Sequence, residues 1–282
     1  MDIRLADERA FILQNQLSMD DAQGRAWVNK TKAFGRFASM TSMLSRPKDD
    51  DFELVYKEFR YEPFWHIKCH ARYVYERARD FEVNVPKEVE SVTLLGQQIN
   101  TPEGRLSFAG IENCREEPSE ELIIDGITGE PSTELAKYLD FANNQIPEDK
   151  LDDISAEGPI FVPPQARASG IVRNVLSNMI KGVQADRLIE EFVSVDKIDL
   201  YYRPVFAYQF QWKSKGKEGI LEYDGVTKEM RTSGRMFQQY VGKMLDPDFL
   251  FDVGAETVGL FIPGGGLAVK LAKQGIDAAR ND

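Results

Sequence analysis

Cysteine and histidine are scarce in this 282-residue chain, with two of each. Two cysteines, Cys69 and Cys114, do not make a disulfide framework, and reduced thiols are the simpler expectation. With only His66 and His70 available, acid–base chemistry would fall mainly to carboxylates, and no pair of glutamates stands out. There is no Gly-x-Ser-x-Gly elbow and no Walker loop. No stretch reaches the ~18 uninterrupted apolar residues that a membrane span needs. The opening residues, Met1-Asp2-Ile3-Arg4-Leu5-Ala6-Asp7-Glu8-Arg9, place acids where a secretory signal has a basic region. A soluble cytoplasmic protein is expected. Positive charge is also in deficit, with 35 Lys+Arg against 46 Asp+Glu and a net charge of −11. No cluster of Lys and Arg offsets this, so nucleic acid and anionic lipid should be repelled. A protein partner or self-association fits better.

Aromatic residues, by contrast, are plentiful. Hydrophobic residues make up 42% of the chain and aromatics 11%, enough to build a core. Many of the aromatics sit in a loose internal repeat. Phe59-Arg60-Tyr61-Glu62-Pro63-Phe64-Trp65 aligns with Leu200-Tyr201-Tyr202-Arg203-Pro204-Val205-Phe206. Further on, Asp125-Gly126-Ile127-Thr128-Gly129-Glu130 aligns with Asp224-Gly225-Val226-Thr227-Lys228-Glu229. The same two marks follow in the same order, so one supersecondary unit is expected twice. Between its marks the first copy holds about 42 residues more than the second, a natural place for specialisation because loops vary more freely than framework strands.

Residues 2–18 read as a short helix with Leu5, Ile12, Leu13 and Leu17 on one stripe, and about 21–44 as a second. Tyr, Phe, Trp and Val dominate from Phe52 to Val85, a strand pattern. Val89–Leu95 reads as a further strand. A turn at Asn100–Gly104 leads into Leu106 and Phe108, and Glu121–Ile124 ends in the Asp-Gly turn. A short helix is expected near Leu135–Ala142, a longer one over Ala166–Lys181, and another near Ala185–Glu190. Strands follow through Phe192–Val195, Ile198–Trp212 and Gly219–Tyr223.

The Asp-Gly-Ile-Thr-Gly-Glu turn, closing a strand that a helix and a hairpin precede, resembles the PepSY family and its cystatin-like relatives. The resemblance covers about 20 residues per copy, and Lys228 stands where the pattern has glycine. It implies units that bind or regulate partners rather than catalyse. The expected fold class is α+β: two related units, each a helix packed on an antiparallel sheet, with a C-terminal helical tail. The expected divisions are an N-terminal helix at 1–20, a first unit with its insertion at 21–131 and an acidic proline-bearing connector at 132–164. A second unit at 165–232 and a glycine-rich tail at 233–282 complete them.

Two functional readings follow. In the first, the protein is a non-catalytic interaction or scaffold protein. It would bind through aromatic strand faces and the tail, with Tyr61, Trp65, Tyr202, Phe206, Trp212 and Phe261 as contact residues. In the second, it is a metal- or thiol-dependent enzyme centred on His66, Cys69, His70 and Cys114, with zinc as the candidate ion and Cys114 the candidate nucleophile. Strand geometry weighs against the metal set, because His66 and His70 would lie roughly 13 Å apart on one face and Cys69 would point to the other. Gly264-Gly265-Gly266 ahead of Lys270 is a weaker candidate for holding an anion.

Overall fold

The computed structural model describes residues 2–35, 47–147, 159–180 and 182–232. In chain order the strands among them are β1 (Asp2–Leu5), β2 (Glu8–Leu13), β3 (Phe52–Asn84), β4 (Ser91–Leu94), β5 (Gln97–Asn100) and β6 (Arg105–Glu116). They continue with β7 (Ser119–Asp125), β8 (Asn143–Ile146), β9 (Ile160–Phe161), β10 (Arg187–Trp212), β11 (Lys217–Asp224) and β12 (Met230–Arg231). Two α-helices are described, α1 (Met19–Asn29) and α2 (Ala168–Met179). Ten strands join one mixed sheet, and β4 and β5 form a separate pair.

This corrects the expected fold class. The chain is mostly β, built on a large mixed sheet, and not a helix-on-sheet α+β repeat. The physical reason lies in β3 and β10, 33 and 26 residues long, where β-branched and aromatic side chains run on without a helical break. Residues 2–18 are the plainest case. Their apolar spacing suits a helix, but β1 and β2 instead take parallel partners along β10, Asp2 opposite Phe192 and Glu8 opposite Ile198. The ladder hydrogen bonds offered by β10 override a weak local preference. The segment near Leu135 is a 3₁₀ turn, Thr133–Asp140, and residues 185–190 hold no helix. The expected tail at 233–282, with Phe261 and Gly264–Gly266, lies outside the described residues.

By contacts the chain divides into two units. The first, the ribbon unit, comprises Met1–Ala6, Lys68–Glu121 and Val172–Lys197. Its body is an antiparallel ladder of twelve residue pairs, from Tyr73 opposite Glu116 to Asn84 opposite Arg105. Arg77 reaches Glu112 at 2.6 Å, and Arg72 reaches Glu117 at 2.9 Å. Phe81 stacks on Phe108 with ring centroids 5.4 Å apart. The β4–β5 hairpin hangs from the end of this ladder.

The second, the frame unit, comprises Asp7–Ile67, Leu122–Ile171 and Ile198–Asp282. Every residue of β3 from Arg60 to Ile67 is buried, so both faces of the strand are covered. Helix α1 starts where Ser18 caps it, the hydroxyl accepting from the Asp21 amide at 3.1 Å, with Asp20 and Asp21 favouring the positive end. Its small face, Ala22 and Ala26, joins a cluster with Phe206, Tyr208, Phe210 and Leu221. A second cluster gathers Leu13, Phe64, Tyr138, Tyr201 and Val226, in which Tyr201 stacks between Phe11 at 5.0 Å and Phe64 at 5.2 Å.

Candidate functional site

The repeated marks meet in space, each copy in the same manner. The Gly126 amide donates to the Pro63 carbonyl at 3.0 Å, and the Gly225 amide to the Pro204 carbonyl at 2.8 Å. Asp125 Oδ1 accepts from the amides of Ile127 and Thr128, and Asp224 Oδ1 from those of Val226 and Thr227. Both turns close with the aspartate amide donating to the glutamate carbonyl at 2.9 Å, from Asp125 to Glu130 and from Asp224 to Glu229. Glycine is required where the turn meets the proline strand. A Cβ on Gly126 would come within 2.7 Å of the Pro63 carbonyl oxygen, and one on Gly225 within 2.9 Å of the Pro204 ring. The copies differ at the left-handed position, where Gly129 has φ +76° and Lys228 has φ +62°.

A buried ion cluster grows out of these marks. On β3, Glu58, Arg60 and Glu62 alternate onto one face, as period-2 geometry requires. The Arg60 guanidinium donates to Glu62 at 2.7 and 2.9 Å, to Glu222 on β11 at 2.6 Å, and to Glu58. Glu62 and Arg203 stand at matching places in the two copies, just before each proline, and they pair with one another. Arg203 also donates to the Tyr138 hydroxyl at 3.0 Å, and that hydroxyl donates to Asp224. Arg231, partly exposed, lies 3.8 Å from Asp224. Burial would raise the Glu62 carboxyl, but the guanidiniums of Arg60 and Arg203 outweigh it and hold the pKa down at about 2. Desolvation works against both arginine charges too, and the surrounding carboxylates more than restore them. Four carboxylates and three guanidiniums thus lock one another. The arrangement offers a clamp between the copies, in which the arginine donors are spent on carboxylates and no nucleophile is set up.

The residues expected to bind or react fall elsewhere. Tyr61, Trp65, Tyr202, Phe206 and Trp212 are all buried. Their rings are core, which corrects their assignment to an open binding face. The Trp65 indole donates to the Ala166 carbonyl at 2.8 Å, and Trp212 to Asp51 at 2.6 Å. His66 is buried in the frame unit beside Tyr201, with ring centroids 6.4 Å apart. In the ribbon unit, Cys69 is buried and donates to the Glu120 carbonyl at 3.5 Å, and burial pushes its thiol up, away from reactivity. Cys114 is half-buried opposite Tyr75, five positions along β3 from His70, or about 16 Å at ~3.3 Å per residue. His70 Nδ1 lies 2.6 Å from Asp196, whose other oxygen accepts from the Ser194 hydroxyl at 2.7 Å. That order puts the carboxylate between serine and imidazole, whereas a nucleophilic triad needs the imidazole in the middle. Among the described residues, no three His, Cys, Asp or Glu side chains gather to hold one metal ion.

Exposed large apolar side chains are more numerous in the ribbon unit, although Val28, Val55 and Tyr56 are exposed in the frame unit. In the ribbon unit, Leu5, Val83, Leu95, Ile111, Leu188 and Ile189 are all exposed. Sequence reasoning missed both this surface and the ion cluster. The alternation Glu58-x-Arg60-x-Glu62 inside an aromatic strand was the available signal for the cluster.

No family model, curated protein or solved structure matches this chain. Among the described residues, no helix is long and apolar enough to cross a membrane.

Proposed function

We propose that this is a non-catalytic interaction protein that meets its partner through the ribbon unit. The observation that carries this reading is the contrast in apolar placement. The aromatics from Tyr61 to Tyr75 on β3 and from Tyr201 to Trp212 on β10 are interior, while the ribbon unit leaves isoleucine, leucine and valine side chains open to water. A contiguous apolar patch rimmed by polar residues marks a docking surface, and the reading takes these side chains to contribute to one. The frame unit, with its copied turns and locked ions, supplies rigidity rather than chemistry.

Affinity capture from source cells tests the reading, using the full chain beside an Ile111→Glu/Ile189→Glu variant. Both positions are exposed, so the variant should keep its Tm. A captured protein that the variant no longer retains is the expected result. Identical capture by both chains would contradict the reading.

A further inference from the structure

The outer edge of the ribbon unit is long and bare. Among the described residues β6 pairs with β3 alone, and no strand lies on its other edge. Edge strands are normally kept short or interrupted, because unpaired backbone is a template for another strand. The strands β1, β8, β9 and β12, which also have a single partner strand, are four, four, two and two residues long. β6 runs for twelve residues with no proline and no lysine, and its ladder to β3 keeps one register throughout, without a bulge.

The bonds flanking that ladder fix which backbone groups are left over. The Val85 amide donates to the Gly104 carbonyl and the Ala71 amide to the Pro118 carbonyl, each at 2.8 Å. Antiparallel partners alternate between bonded and unbonded pairs. Even-numbered residues of β6 therefore spend their N–H and C=O groups on β3. Those of Arg105, Ser107, Ala109, Ile111, Asn113 and Arg115 point away from it, and the side chains of these residues are all exposed.

The order of side chains along this edge is complementary to itself. With a two-fold axis at Ile111, each outward-pointing residue meets another across the axis. Ile111 faces Ile111 of the second copy, Ala109 faces Asn113, Ser107 faces Arg115 and Arg105 faces Glu117. Between them Phe108 faces Cys114, and Glu112, already held by Arg77 and Arg79, faces Gly110. No like charges stand opposite. Moving the axis by one residue sets Arg105 against Arg115, or Glu112 against itself, and larger moves leave one end of β6 unpaired. The overall acidity lies elsewhere, since within β6 Arg105 and Arg115 balance Glu112 and Glu116.

We propose that two copies of the chain pair antiparallel along β6, edge to edge, with the two-fold axis at Ile111. This rests on the interaction reading above in placing the contact on the ribbon unit, and it names a second copy as the partner. The test is sedimentation velocity of the full chain together with cysteine mapping. The parent should form dimers that increase with concentration. Ala109→Pro removes one outward N–H that β3 does not use, a place where edge strands tolerate proline. It should keep its Tm and raise the dimer dissociation constant by about ten-fold or more. For the mapping, cysteines are added in a Cys114→Ser background and oxidised with glutathione disulfide. Paired Cα atoms lie about 5.5 Å apart, within disulfide reach. Ile111→Cys chains should therefore cross-link to one another, and Ala109→Cys to Asn113→Cys when the two are mixed. Ala109→Cys alone should not, because its two copies lie about 13 Å apart along the strand. Should Ala109→Pro lose its Tm, the cross-linking pattern decides. A chain that stays monomeric at every concentration, a dimer that a folded Ala109→Pro leaves unchanged, or efficient cross-linking of Ala109→Cys to itself would each overturn the proposal. If the chain stays monomeric while Ile111→Glu/Ile189→Glu still loses a captured protein, the self-pairing fails and the interaction reading stands. If the chain stays monomeric and capture is also unchanged, both fail.

Discussion

The segment from Pro63 to Asp125 and the segment from Pro204 to Asp224 begin and end on the same docked turn, yet almost nothing between those ends is alike. In the second copy, β10 turns back through Lys213–Gly216 into β11, and the last six residues of β11 are all buried. In the first copy, the chain runs on through the twelve-pair ladder and the β4–β5 hairpin before returning along β7. That longer passage holds Val83, Leu95 and Ile111, all exposed, and two residues with positive φ that are not glycine, Leu95 and Glu103. The difference separates two duties. Short closure between the marks yields frame, and the added residues yield surface. Where the copies coincide, their charges have become complementary, so that Glu62 of one meets Arg203 of the other.

The largest effect should come from emptying the clamp. Arg60→Met leaves Glu58, Glu62 and Glu222 buried without their shared cation. Removing one partner from a buried ion pair costs about 3–5 kcal/mol, and three carboxylates share this one, with only Glu62 keeping a second guanidinium in Arg203. Urea unfolding should show a loss in or above that range. A variant as stable as the parent would mean the cluster is not locked.

Acid should weaken the frame next. Glu62 in the fold titrates at about 2, below the unfolded value of about 4.3. A depressed carboxylate contributes stability above the unfolded pKa and loses it as pH falls through the folded one. Denaturation midpoints should therefore drop between about pH 4.5 and pH 2, with Glu62 accounting for on the order of 2–3 kcal/mol. The Glu62→Gln variant should start less stable and show a flatter acid slope.

The smallest effect compares the turns themselves. Lys228 holds φ +62° where the other copy has Gly129. Lys228→Gly relieves that crowding and should stabilise the chain by about 0.5–1 kcal/mol, a rise of a few degrees at most in Tm. The turn hydrogen bonds are made by backbone and by the side chains of Asp224 and Thr227, so the substitution leaves them in place.

Much of the frame was legible because local chemistry agreed with tertiary structure. Residues 52–85 have the aromatic and β-branched density of a strand, and β3 occupies 52–84. The Asp-Gly turns were legible because a short carboxylate accepting its own downstream amides needs only neighbours in sequence. Of the apolar stripe Ile171, Val172, Val175, Leu176, Met179 and Ile180 that helical spacing gives, Ile171, Val172, Val175 and Met179 are buried, Leu176 is half-buried and Ile180, just past the end of α2, is exposed. What failed needed distant partners. Leu5, Ile12, Leu13 and Leu17 keep helical spacing, but β10, more than 180 residues away, turns their segment into strands. Glu58, Arg60 and Glu62 resemble a solvated charged face until Glu222 and Arg203 enclose them. Leu95 reads as the last residue of a strand, since a leucine carries no sign of positive φ.

Unfolding of a shortened chain tests the division of duties most directly. Asn84 and Arg105 are paired across the ladder, so an Asn-Gly turn in place of residues 85–104 should join them without moving either strand. We expect the shortened chain to keep one cooperative urea transition, with stability within about 2 kcal/mol of the full chain. Loss of that cooperative transition would show that the added residues belong to the frame, and would contradict the account.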